Sequence, residues 1–570
     1  SPARRSVAVF DLWTLSLPEG GEAMDFNLAQ VHEAIAASIP ERECLVFRDR
    51  RLTWSEFNER TRRLANYLAG EGLGIHQNRD DLQNWQSGQD HVALYLFNGN
   101  EYLEGMIGAF KSRTVPVNLN YQFVESELLH ILNDSESKAL IYHGRFADRV
   151  AKVASGAPNL RVLLQVDDGS GAPLLPGARW YEEALKSSDA SLSVAECSPD
   201  DLYLTYTGGT TGMPKAVLWR QADIFLANFS GRRNDGAPFD AMEEIVERAL
   251  SGSIRVLPQA PFMHVAGHAS ALGMWHLGGT VVLPDIVERF DAASILECLE
   301  RERVSLTVLV GDAMARPCIE ALKERRYDLD SLTTVISGGA SLSARAKAEL
   351  IELLPHVVVV EGVGSSETGG QAMNTSSSGT GVSPGAFTPG VGTTILDANR
   401  LGILDIGDPG PGWLARSEAI PLGYLGDAEK TSNTFIKIDA IRYVVPGDRA
   451  RWGAAGELLF LGRESTTINT GGEKVFAEEV EAVLLSEPGV RDAAVLGRPN
   501  QRFGEEVVAV VVLESGHSES ADELIASCAK QLARFKLPRA VVFISEIQRG
   551  PAGKVNLRWL RKQVTQEFQE

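Results

Sequence analysis

The sequence has no long apolar run. No stretch of it approaches the roughly 18 consecutive apolar residues of a membrane span, so no transmembrane segment is expected. Cysteine is sparse: Cys44, Cys197, Cys298, Cys318 and Cys528 are scattered, odd in number, and form no Cys-x-x-Cys pair. That spacing argues against a disulfide framework or a zinc site and for thiols kept reduced, as in a cytoplasm. Positive charge is short as well, with Lys+Arg 55 against Asp+Glu 75 and a formal net charge of −20. Phosphate backbones and anionic membranes need a basic face, so no nucleic-acid partner is expected. An anionic small molecule would have to be held by local donors. There is no internal repeat. What is present is an ordinary soluble composition, 44% hydrophobic and 23% charged, in 570 residues, too many for one core.

Residues 1–23 hold Arg4-Arg5 and an apolar run broken by Asp11, without a convincing small-x-small cleavage site. They are expected to be a non-native or disordered extension ahead of a natural start at Met24. From there to about Pro421, helical patterns such as Ser55–Glu71 and Glu101–Ser112 alternate with strand-like runs. These are His91–Phe97, Ser305–Val310, Thr333–Ile336 and Val357–Val360. This is the rhythm of βαβ units on parallel sheets. Gln77–Gln89 reads as a surface loop, Asp240–Leu250 as an acidic amphipathic stretch, and Asn374–Gly392 as a Ser/Gly/Thr/Pro loop. After about Ser465 the pattern changes. Helices are expected over Glu478–Ser486 and Ala521–Ala533, and strands over Val490–Leu496, Val507–Leu513 and Ala540–Ile544, a compact α+β unit.

The densest chemistry lies in Tyr206–Val217, YTGGTTGMPKAV. Thr207, Gly208, Gly209, Thr210, Thr211, Gly212 and Lys215 place backbone N–H groups, hydroxyls and an ammonium where they can wrap phosphate oxygens. The common P-loop runs G-x-x-x-x-G-K-[ST]; here Met213 and Pro214 separate Gly212 from Lys215. The stretch closely resembles the phosphate-binding motif of adenylate-forming enzymes, the superfamily of acyl-CoA synthetases, luciferases and peptide-synthetase adenylation domains.

Further motifs follow in that superfamily's order. EGVGSSETGG, Glu361–Gly370, ends an apolar run. Glu367 suits Mg²⁺ and Ser366 suits a phosphate; Glu361, Gly362 and Val363 before them are read as cofactor-binding positions, with valine where the family carries an aromatic. In SGGA, Ser337–Ala340, the residues Gly338, Gly339 and Ala340 allow close approach to a flat ring. APFMHVAG brings His264, read either as a satisfied core histidine or, by resemblance, as a group beside the substrate carboxylate. In YVVPGD, Asp448 is the expected partner of the ribose hydroxyls; Val445 and Pro446 depart from the family pattern. By resemblance Arg463 contacts ribose and phosphate, Ser465 occupies the hinge position, Gly471 and Gly472 lie beside the CoA arm, and Lys554 of PAGK is the catalytic lysine. Glu478, Glu479 and Glu481 are expected to cap or solvate a helix start.

The resemblance implies an α/β fold: a large N-terminal domain over 24–464, with parallel-rich sheets flanked by helices, and a small mobile α+β domain over 465–570. It implies ATP, Mg²⁺ and coenzyme A, and a carboxylic acid activated as an acyl-adenylate and passed to CoA. GDAMARP, GSSETG, PLGYLGDAEKTSNTF, TGGEKV and PAGK look like the fatty-acyl-CoA synthetases that include steroid side-chain ligases, with aryl acids open. Other readings are an adenylase loading a carrier-protein thiol, a nucleotide-binding regulator without turnover, and a luciferase-like oxygenase.

Overall fold

The computed structural model describes residues 24–207, 214–383, 385–408, 410–470, 473–500, 502–551 and 553–568. Among the expected site residues, Gly208, Gly209, Thr210, Thr211, Gly212, Gly471 and Gly472 lie outside the described residues, as does the extension 1–23.

Two sheets with parallel cores dominate the first four-fifths of the chain. One is wholly parallel, in the order Val115–Asn118, His91–Tyr95, Ala139–His143, Val162–Val166, Ala178–Trp180. Every residue of its two central strands is buried, as expected where helices cover both faces. The second runs parallel through Glu43–Phe47, Thr280–Leu283, Arg255–Pro258, Leu306–Leu309, Thr334–Gly338 and Val358–Ser365. There the chain doubles back. Gly369–Ser376 pairs antiparallel with Val358–Ser365 and opens into an antiparallel continuation through Ala386–Pro389, Leu458–Arg463, Asp448–Trp452 and Gly412–Arg416. The segment Asn374–Gly392, expected to be a loop, therefore contains the end of one strand and the whole of another. Cross-strand pairing satisfies its backbone despite a composition that favours turns.

Helices form where apolar period and caps agree. Trp54–Gly70 starts at a Thr53/Glu56 capping box and buries Trp54, Phe57, Thr61, Leu64 and Leu68 along one stripe. Asn100–Lys111 fits against it because Gly108 leaves space; a Cβ there would stand 2.6 Å from Leu64. The acidic stretch forms the helix Met242–Ser251.

After the short 3₁₀ turn Glu464–Thr466, a separate sheet begins. Its order is Glu473–Val475, Ile468–Thr470, Gly504–Leu513, Val490–Asn500, with Ala540–Phe543 parallel to Gly504–Leu513. The expected helix over Ala521–Ala533 stops at Cys528. Glu478, Glu479 and Glu481 do not simply solvate their helix. Glu479 pairs with Lys536 at 2.6 Å, Glu481 accepts the Val495 N–H at 2.8 Å, and Glu478 accepts from the Thr466 hydroxyl at 3.1 Å. All five cysteines are buried free thiols. Among the described residues, no helix is long and apolar enough to cross a membrane.

Candidate active site

The glycine/threonine loop joins two strands rather than a strand and a helix. Leu202–Thr207 and Lys215–Arg220 are antiparallel, with Thr207 opposite Lys215, and the Thr207 hydroxyl donates to the Lys215 carbonyl at 3.4 Å. Lys215 Nζ lies 3.3 Å from Asp427 Oδ2. Asp427 also caps the helix Ala428–Thr434 by accepting the Lys430 N–H at 3.0 Å, so the ammonium at the loop's exit is anchored to a fixed helix end.

Glu367 stands in the turn between Val358–Ser365 and Gly369–Ser376. The turn is too tight for a side chain at Gly364, where a Cβ would meet the Gly369 carbonyl at 2.2 Å. Its carboxylate accepts from the Tyr424 hydroxyl at 3.0 Å, and the Trp219 indole donates to the Ser366 carbonyl at 3.0 Å. Arg416, buried, donates to the carbonyls of Thr368 and Gly370, each at 2.7 Å. Ser366 is thus fixed through its backbone, and the acid turn is clamped from both sides.

Asp448 and Arg463 are ladder partners on adjacent antiparallel strands, with Arg463 Nε donating to Asp448 Oδ1 at 2.9 Å. Asp448 is only 4% exposed. Burial raises its pKa even against the neighbouring guanidinium, and Arg463 is held firmly charged. Lys554 belongs to this cluster. Crowding by protein, then repulsion from Arg463, lowers its pKa, while Glu367 and Asp448 oppose the shift. Lys554 is nevertheless exposed.

His264 precedes the helix Val265–Trp275 as its N-cap. Burial, then the nearby Lys554 charge, brings it down to about 4, so it is neutral at pH 7. Its Nε2 is buried without a hydrogen-bond partner among the described residues. His268, one turn on, is the satisfied core histidine. Its Nε2 meets the Tyr203 hydroxyl at 2.5 Å and its Nδ1 the Phe262 carbonyl at 2.7 Å. The core histidine with both ring nitrogens partnered is therefore His268, whereas the His264 Nε2 has no partner among the described residues.

The structure brings Glu367, Asp448, Arg463, Lys554 and His264 into one electrostatic cluster. Gly338 and Gly362 are ladder partners beside it, and Gly339 takes a left-handed φ of +85° that leads the chain through Ala340 into the next loop. Glu361 is committed internally: it pairs with Lys347 at 3.0 Å and accepts the Leu342 N–H at 3.3 Å. Val363 packs against the cluster around Phe387, Ile395 and Trp452. Sequence reasoning missed Trp219, Tyr424, Asp427 and Lys347 as supports. Tyr424 and Asp427 lie in the PLGYLGDAEKTSNTF run, whose density of motif was the available signal.

The model of the AMP-binding enzyme family matches residues 32–425, and that of the AMP-binding enzyme C-terminal domain matches residues 479–554. The chain belongs to the AMP-binding enzyme family. It is 48% identical to the medium-chain acyl-CoA ligase Mig of Mycobacterium avium, over 94% of this chain and 98% of that one. It is 36% identical to the 3-oxocholest-4-en-26-oate–CoA ligase of Rhodococcus rhodochrous, over 95% and 96%. The crystal structure of the anthranilate CoA ligase AuaEII in complex with anthranoyl-AMP superposes with a TM-score of 0.80, covering 97% of this chain and 99% of that one. At 20% identity that likeness speaks for the fold alone.

Proposed function

We propose that this family member is an acid–thiol ligase that converts a medium- or long-chain fatty acid, or a steroid side-chain acid, to its CoA thioester. A carboxylate oxygen attacks the α-phosphorus of ATP and pyrophosphate leaves. A thiol then attacks the acyl carbon of the mixed anhydride, AMP leaves, and the thiol proton goes to solvent. The observation that carries the reading is the convergence of Lys554 on Glu367, Asp448, Arg463 and His264, in a chain 48% identical to a medium-chain acyl-CoA ligase over nearly its whole length.

Each residue then has a task. Asp448 accepts the ribose hydroxyl protons, its Arg463 partner holding it in place. Lys554 offsets the negative charge that builds on the carboxylate and α-phosphate, in a cleft where charge interactions are strong. Neutral His264 can offer Nε2 to the acid. Lys215 and the loop 207–215 hold the distal phosphates. Mg²⁺ takes one or two carboxylates plus phosphate oxygens and water. Glu367 would hold it, neutralising phosphate charge when bound. The unit over 465–570 moves between the two half-reactions, withdrawing Lys554 and bringing in Gly471-Gly472 for the thiol. The buried thiols fit a reducing, cytoplasmic setting.

The test is pyrophosphate release from ATP with a panel of acids, with and without CoA. Acid-dependent pyrophosphate and CoA-dependent AMP, strongest with medium-chain or steroid side-chain acids, are expected. Failure of every acid to elicit pyrophosphate release would refute an enzyme of this kind. Release with acids but no transfer to CoA would point to a carrier-protein thiol instead.

A further inference from the structure

Lys554 is carried by the C-terminal unit, yet it acts on groups of the large N-terminal one, so something must hold the two units in this orientation. Gly553, the residue before the lysine, takes φ +68° and lies directly on the first turn of the helix Gly311–Glu324. A Cβ there would stand 3.2 Å from the Val310 carbonyl and 3.3 Å from Ala313. The same helix carries Arg316, one turn beyond Asp312, with Arg316 Nε 3.1 Å from Asp312 Oδ2. Arg316 Nη1 points across the gap to Glu514 of the C-terminal unit at 3.8 Å. Arg345, on the helix Ala344–Leu353, reaches the same carboxylate at 3.2 Å and donates to the Pro488 carbonyl at 2.8 Å. One acidic side chain is therefore held between two arginines of the opposite unit.

The arginines do not end in solvent. Asp312, which steadies Arg316, accepts the Ser343 N–H at 2.7 Å and donates its own N–H to the Ser341 carbonyl at 3.1 Å. Ser341 and Ser343 continue the loop that begins at Gly338–Ala340 beside the candidate nucleotide site. A polar chain thus runs from Glu514 through Arg316 and Asp312 to that loop, on the helix that also seats the turn of Lys554.

We infer that Glu514, gripped by Arg345 and Arg316, is a clasp that positions Lys554 for acid activation and must open for thiol attack. This rests on the ligase reading and on movement of the C-terminal unit between the half-reactions. Glu514 touches neither substrate nor reacting atoms; it acts through Lys554 and is a positioning residue.

The test uses the full chain and separates the half-reactions: acid-dependent ATP–pyrophosphate exchange, and CoA thioester formation from chemically made dodecanoyl-AMP. Glu514→Gln is expected to lower exchange about fivefold, the upper range for a partly exposed ion pair, and to leave thioester formation unchanged or faster, with the thermal midpoint unmoved. Arg345→Gln, which also loses the Pro488 bond, should fall at least as far, and the double variant should fall by less than the product of the two singles' fold-losses. Equal losses in both half-reactions, losses that simply add, or exchange at the wild-type rate would overturn the clasp while leaving the ligase reading intact. Absence of exchange in the wild type with every acid overturns both. Should the variants fail to fold, raising KCl on the wild type must depress exchange several-fold more than thioester formation; equal responses overturn the clasp.

Discussion

Glu367 and Lys554 face the same space but are held by different means. Glu367 sits in a turn clamped by Tyr424, Trp219 and Arg416, with strands on either side fixing its backbone. Lys554 follows a glycine turn resting on the helix Gly311–Glu324, and its unit is tied across the gap by a few polar contacts. On the proposed reaction, a rigid cradle would keep nucleotide geometry constant, and a lightly tethered arm would let one charge be present for one step and absent for the next.

The sharpest way to break that comparison is Lys554→Ala. Acid activation should fall about 10³-fold while thioester formation from supplied acyl-adenylate is retained; parallel losses would mean that the arm is as much a part of the static site as Glu367. Acid should separate the regions next. His91, His143, His264, His268 and His276, all in the large unit, are each lowered by burial to about 4. Between an ordinary histidine value of about 6.5 and about 4, the unfolded chain takes up protons that the fold refuses, so stability falls as pH falls. The loss is at most about 3 kcal/mol per histidine. Hydrogen exchange at pH 4.5 against pH 7 should show the large unit loosening before the C-terminal unit; loosening of the C-terminal unit first would refute this order.

Asp448→Ala leaves Arg463 without its partner and, on the proposed reading, the ribose without its acceptor. A fall of about 30-fold in kcat/KM for ATP is expected, the scale of a charge-assisted hydrogen bond; an effect on the acid's KM alone would place Asp448 elsewhere. The smallest change is Tyr424→Phe, which removes one hydrogen bond from Glu367. About fivefold weaker activation, partly restored by excess Mg²⁺, is expected, and an unchanged Mg²⁺ titration would show that Tyr424 does not orient the metal ligand.

The parallel half of the fold is legible in the sequence because its buried strands are uninterrupted apolar runs between amphipathic helices. The antiparallel half is not. Ala386–Pro389 hides in a Ser/Gly/Thr/Pro stretch, and nothing local says that it pairs with Leu458–Arg463, far along the chain. The site divides in the same way. Glu367, Asp448 and Lys554 stand in motifs that resemble those of adenylate-forming enzymes, and Glu367 is also marked by its own chemistry as a hard oxygen ligand. The Asp448–Arg463 pairing depends on strand register, and the roles of Tyr424, Trp219 and Arg316 depend on contacts that only the folded chain makes. Glu361, read as a cofactor contact, is drawn inward by Lys347, a lysine that no pattern marks as buried.

The five buried cysteines have a chemical consequence. An acyl-adenylate is a mixed anhydride that any thiolate within reach would capture. Burial pushes Cys197, Cys298 and Cys318 up to about 12 and Cys528 to about 11, with Cys44 also raised well above the ordinary thiol range. Since the thiolate is the nucleophile, the protein's own sulfur is silenced twice, by access and by protonation. A diffusing thiol meets no internal rival, and the protein is protected from acylating itself.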